Sequence, residues 1–176
     1  MTTENEIIEM GAELPRDAIR AMEAACGFRR IKTHRPWVVE RKDPGEASGS
    51  QKELASIAET ADDLTCAVHK NGTLDDLTVF RVDGEEVISL RTGDSSPLPC
   101  ETKVEYAGRN IMARPDIAYA AMTRDHVKDV AKNGTRFHHL AGSIDGIRSE
   151  WWRMAVRCRA TGFVLTHTLP DRRWRA

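Results

Sequence analysis

Residues 148–162, RSEWWRMAVRCRATG, bring four arginines, two adjacent tryptophans and a cysteine into one short stretch. A guanidinium presents planar donors that match phosphate oxygens, and an indole face stacks on an unpaired base. Together those residue types suit a polyanion. Basic and aromatic clusters recur in FRRIKTHRPW (residues 28–37) and in DRRWRA (residues 171–176). The competing interpretation is an ordinary amphipathic helix with its tryptophans in the core and a solvated basic face.

The other chemistry-bearing groups are sparser. His138 and His139 in RFHHLAG could ligate a metal, but adjacent side chains in a loop rarely converge on one ion. No Asp, Glu or His partner stands at a recognisable spacing, so the pair is expected at the surface and no metal is assigned. Cys100 or Cys158 with His167 could make a nucleophile and its base, although no nucleophile-bearing motif surrounds either cysteine. The carboxylates of VDGEEV (residues 82–87) sit at a turn signal, where solvated acids are routine. Neither a P-loop nor a G-x-G-x-x-G cradle for phosphate is present. Cys26, Cys66, Cys100 and Cys158 form no C-x-x-C pair and are expected as reduced thiols, mostly in the core. No catalytic residue, cofactor or enzymatic activity is therefore expected.

The elements that must position these groups follow from periodicity. In ELPRDAIRAMEAACG (residues 13–27), Pro15 suits a first helical turn, Ile19, Met22 and Cys26 share a face, and Gly27 suits the end. FRRIKTHRPWVVERK carries the alternation and β-branched residues of one or two strands. DPGEASGS (residues 43–50) is a polar loop and the candidate mobile connection, and QKELASIAETA is a short helix. From Leu64 the period becomes two, and the turn signals Asn71-Gly72 and Asp83-Gly84 predict a three-stranded antiparallel β-meander. Thr123 can cap a helix running to about Lys132 that Asn133-Gly134 ends. Residues from about Ile147 to Ala160 are expected as a last helix, stopped by Gly162. At 100° per residue, Trp151, Met154 and Cys158 form its buried stripe, Arg148, Arg153 and Arg157 line another side, and Trp152 lies between. FVLTHTLP closes the chain as a strand. The expected class is α+β, with the meander packed against about four helices in a single domain spanning residues 1–176.

Composition bounds the rest. At 176 residues, 40 % hydrophobic and 30 % charged, the chain is long enough for one substantial core. No apolar run approaches the ~20 residues that span a bilayer, and the acidic start MTTENEIIE lacks the features of a signal peptide, so a soluble cytoplasmic protein without a membrane partner is expected. The net charge of −1 conceals segregation: residues 28–42 and 146–176 each carry +5, and residues 43–105 carry −9. Such asymmetry steers a polyanion only if the basic segments meet in space.

YAGRNIMARPDIAYAAMTRDHVKDVAKNG, followed after a loop by EWWRMAVRCRATGFVLTHTLP, resembles the later part of the RecT/Bet-type phage recombination proteins, which anneal complementary single strands without ATP. The matching positions are Tyr106 and Ala107, Met122, Thr123 and Arg124, Trp151, Met154 and Ala155, Arg157, and Leu169 with Pro170. A helix followed by a β-meander over residues 52–91 is also what the middle of that family would show. The chain departs from the pattern in being short, in lacking the family's early helical region and its Leu-Gly-Leu-x-Pro type turn, and in spacing Met154 from Leu169 two residues further apart. The resemblance implies single-stranded DNA as partner and action as a homo-oligomer, with a partner nuclease or host protein. On this basis Arg124, Lys128, Arg148, Arg153, Arg157 and Arg159 are the candidate phosphate contacts and Trp152 the stacking residue, with Arg172, Arg173, Arg29 and Arg30 in support. The alternative class is a phage or mobile-element accessory protein whose acidic segment binds another protein or mimics nucleic acid.

Overall fold

A computed structural model describes residues 7–10, 37–60, 77–93, 107–114, 117–144 and 147–171. Their backbone is organised by one antiparallel sheet. Its strands are β1 (Ile7–Met10), β2 (Trp37–Lys42), β3 (Thr78–Asp83), β4 (Glu86–Arg91), β5 (Arg109–Asn110), β6 (Arg136–Ile144), β7 (Ile147–Arg157) and β8 (Val164–Pro170). They lie side by side as β1-β2-β6-β7-β8-β3-β4-β5. Among the described residues there are two α-helices, α1 (Gly49–Thr60) and α2 (Ile117–Asn133), one on each face of the sheet.

Helix α1 begins where Ser48 and Gln51 form a reciprocal cap. The Gln51 N–H donates to Ser48 Oγ at 3.3 Å, and the Ser48 N–H donates to Gln51 Oε1 at 3.2 Å. The amide end of the same glutamine donates to the backbone carbonyls of Trp152 (3.1 Å) and His167 (3.2 Å), which fastens the helix start to β7 and β8. Leu54 and Ala58 then pack on Phe137, Met154, Val156 and Leu165. On the other face, α2 buries every residue from Ile117 to Thr123. Trp37, Val39 and Leu140 pack against Ala118, Tyr119 and Met122, while Phe80, Val87, Ala155 and Val164 pack against Ala120, Val127 and Val130.

This architecture overturns the expected three-stranded meander packed with about four helices. The decisive difference is β7. Residues 147–157 form the longest strand of the sheet, paired on both edges with β6 and β8, rather than the last helix. A central strand covered by a helix on each face loses the polar alternation that marks a half-exposed strand, and the apolar residues on both sides of Arg153 in IRSEWWRMAVR then fit helical spacing equally well. Tryptophan and valine favour the pleated backbone, and pairing on both sides settles the outcome. Thr123 does not cap a helix either: α2 starts at Ile117 and Thr123 is buried inside it. The hairpin at Asp83-Gly84 forms with Gly84 at φ 60°, Gly134 at φ 88° follows α2, and Val164–Pro170 is a strand. Residues 44–46 of the polar loop form a 3-10 turn capped by Asp43, and α1 already begins at Gly49. The helix expected over residues 15–26 and the first strand of the meander with its Asn71-Gly72 turn lie outside the described residues.

Candidate metal centre

Strand register brings four titratable side chains together on the α1 face. Glu40 of β2 stands opposite His139 of β6, and His139 stands opposite Trp152 of β7. Two residues back along β7, Glu150 projects on the same face as Trp152 because side chains alternate. Asp171 follows β8, and its backbone N–H donates to the Glu150 carbonyl at 3.0 Å, which seats the two carboxylates beside each other.

His139 Nε2 faces Glu150 Oε2 at 3.5 Å and Asp171 Oδ2 at 3.6 Å. Its other ring nitrogen, Nδ1, faces Glu40 Oε2 at 3.9 Å. The three side chains of His139, Glu150 and Asp171 are only 17 %, 10 % and 5 % exposed. His139 Nε2 is hidden from solvent and has no hydrogen-bond partner among the described residues. Separations of 3.5 and 3.6 Å exceed the roughly 2.7–3.2 Å of a hydrogen bond. They correspond instead to the edge of a coordination polyhedron: metal–ligand bonds of about 2.1 Å at tetrahedral angles place neighbouring donors about 3.4 Å apart. One donor atom from each of the three residues lies within 4.8 Å of the others.

The surroundings orient the donors. Arg148 holds Glu150 through its outer oxygen, Nη2 donating to Oε1 at 2.6 Å, which leaves Oε2 turned to the imidazole. Lys42 pairs with Glu40 through Oε1, leaving Oε2 turned to His139 Nδ1. At 3.9 Å, Glu40 Oε2 is beyond hydrogen-bond reach of Nδ1 and contributes a nearby negative charge rather than a fixed tautomer. Trp152 lies against the imidazole with centroids 4.7 Å apart and stacks on Phe137 at 5.6 Å.

His138, expected with His139 at the surface, points the opposite way. It is wholly buried on the α2 face, its Nδ1 2.7 Å from His126 Nε2. Adjacent histidines on a strand face opposite layers, so period two through RFHHLAG was the signal for separating them. The partners of His139 come from β7 and the end of β8, and the helical assignment of residues 147–160 hid that neighbourhood.

The expected nucleic-acid contacts are distributed over both faces. Arg148 and Trp152 lie at the His139–Glu150–Asp171 cluster. Arg153, one residue on, is buried on the α2 face, donating to Thr168 Oγ1 (3.0 Å), Thr123 Oγ1 (3.3 Å) and the Tyr119 hydroxyl (2.6 Å). On α2, Arg124 pairs with Asp125 at 2.7 Å and Lys128 pairs with Glu85. Arg157 is exposed and donates to the Ala131 carbonyl at 3.2 Å, and Arg159 is exposed beyond β7. Arg29, Arg30, Arg172 and Arg173 lie outside the described residues. Cys158 is a buried free thiol, and Cys100 lies outside the described residues. No helix among the described residues is long and apolar enough to cross a membrane.

The fold and site together define an antiparallel sheet sheathed by a helix on each face, with a one-histidine, two-carboxylate cluster on one of them. No family model matches the chain, no curated protein matches it, and no solved structure matches its fold.

Proposed function

We propose that the protein binds one divalent cation through His139 Nε2, Glu150 Oε2 and Asp171 Oδ2, with Glu40 adding negative charge beside the imidazole. The observation that carries this reading is the buried Nε2, without a hydrogen-bond partner among the described residues, facing two carboxylate oxygens at 3.5 and 3.6 Å, spacings that a shared ion would suit. One nitrogen and two oxygens suit a borderline or hard ion such as Zn²⁺ or Mn²⁺, and the absence of sulfur from the trio disfavours a soft one. Three protein ligands leave further coordination positions for water or a ligand, the arrangement of reactive rather than structural metal centres. The single-strand annealing implied by the resemblance, and the protein-interaction alternative, gain no comparable juxtaposition among the described residues.

Isothermal titration of the metal-stripped full chain with Mn²⁺ and Zn²⁺ tests the proposal. One equivalent of heat is expected, with affinity weakened at least a hundredfold in His139→Ala and in Asp171→Asn while far-ultraviolet circular dichroism stays unchanged. Equal binding by the wild type and both variants, or no uptake by the wild type, would overturn it.

A further inference from the structure

The carboxylates that face the His139 imidazole stand beyond hydrogen-bond reach of both its nitrogens, at 3.5 and 3.6 Å from Nε2 and 3.9 Å from Nδ1. Aromatic contact holds the ring instead. Trp152 of β7 is the cross-strand partner of His139 on β6, and its indole lies against the imidazole with centroids 4.7 Å apart and planes at 43°. The same indole stacks on Phe137, two residues back along β6, at 5.6 Å and 22°. One flat surface therefore covers two successive side chains of the α1 face of β6. The indole is itself held in place: it packs against the apolar cluster that contains Leu54 and Leu165, and the backbone carbonyl of Trp152 accepts from the buried Gln51 amide at 3.1 Å.

We infer that Trp152 is the positioning residue of the metal centre, an inference that rests on the metal reading above. Its indole fixes the plane of the imidazole, so that Nε2 stays turned to Glu150 and Asp171 and the ring does not rotate away from the ion. A ligating histidine is commonly held by a hydrogen bond from its second nitrogen. Here a flat apolar face takes that place. The requirement is then for a ring rather than for an indole N–H: phenylalanine at position 152 keeps the surface, whereas an aliphatic side chain of similar apolarity does not.

Calorimetric titration of the metal-stripped full chain with Mn²⁺ compares the wild type with Trp152→Ala, Trp152→Leu and Trp152→Phe, each checked for folding by far-ultraviolet circular dichroism. Trp152→Ala and Trp152→Leu should weaken Mn²⁺ about tenfold, the loss typical of a lost orienting partner, and Trp152→Phe should restore most of that affinity. Leu54→Ala, which opens a cavity in the same apolar cluster, should lower the urea midpoint and leave Mn²⁺ affinity unchanged. Equal Mn²⁺ binding by the wild type and Trp152→Ala, a Trp152→Phe chain as weak as Trp152→Leu, or a Leu54→Ala loss equal to that of Trp152→Ala would overturn this inference alone. Should Trp152→Ala fail to fold, the comparison of Trp152→Leu with Trp152→Phe decides. Failure of Mn²⁺ uptake by the wild type would remove the inference together with the metal reading.

Discussion

At the scale of the residue, a side chain's chemistry is decided by the face on which it emerges. Arg153 has the composition of a phosphate contact, yet it is 2 % exposed and spends its donors on two threonine hydroxyls and a tyrosine hydroxyl, with its guanidinium 5.6 Å from the Tyr119 ring centroid. Among the described residues no carboxylate pairs with it. Burying a cation is tolerated only where its donors are satisfied, and removing it strands the acceptors. Arg153→Met should therefore lose about 2–4 kcal/mol of stability, as measured by urea denaturation. An unchanged midpoint would show that the hydroxyl cage contributes nothing. His139 illustrates the converse: its sequence neighbourhood looked unremarkable, and its partners become visible only through cross-strand register, which a single sequence does not print.

Among the elements, those with one exposed face or a marked end were legible. The hairpin at Gly84, the stop after Asn133 and the last strand all carry local chemistry, a glycine at positive φ or alternation, whereas the reciprocal serine–glutamine cap that starts α1 falls within the stretch expected as a loop. Strand β7 was not legible, because cover on both faces erases period two, and neither was the first turn of α2, whose wholly buried residues 117–123 show no polar side. The helix α2 also carries a pH dependence. Burial, then the neighbouring His138 and the charges of Arg153, Arg136 and Arg41, hold the His126 imidazole well below its ordinary protonation range. His138 is pushed down to about 3, by burial first and then by Arg41 and Arg153, with Asp129 opposing. Both rings therefore stay neutral in the fold and take up protons more readily when unfolded. Their contribution is complete above the ordinary histidine value near 6.5 and is lost as pH falls below it toward the folded values. Stability should fall by about 1.4 kcal/mol per pH unit for each such proton between pH 6 and 4, read from urea midpoints. His126→Gln should flatten that slope; an equal slope in the variant would locate the dependence elsewhere.

For the molecule as a whole, the layers are joined where backbone and indole meet most closely. Trp37 of β2 is fully buried, packs edge-on against Tyr119 of α2 at 5.4 Å between centroids, and lies over Gly142 of β6. A Cβ added at Gly142 would fall 2.3 Å from the indole carbon Cδ2, which real contacts do not allow. Gly142→Ala must then push Trp37 away from both the sheet and α2, at a cost of about 1–3 kcal/mol or more, visible as a lowered urea midpoint and an altered near-ultraviolet circular dichroism signal of tryptophan. A variant as stable as the wild type would mean that the indole has room to shift. Segment charge was fully legible as a count, but its spatial meaning was not. Whether basic runs gather depends on sheet order, and the order β1-β2-β6-β7-β8-β3-β4-β5 places sequence-distant strands side by side.

Because β7 is central and sheathed on both sides, Trp152 and Arg153 are neighbours in the chain yet belong to separate electrical environments. Of the described arginines of residues 146–176, Arg148 stands in an acid-lined layer, Arg153 in an interior layer of guanidinium and hydroxyl groups that solvent does not reach, and Arg157 and Arg159 at exposed positions.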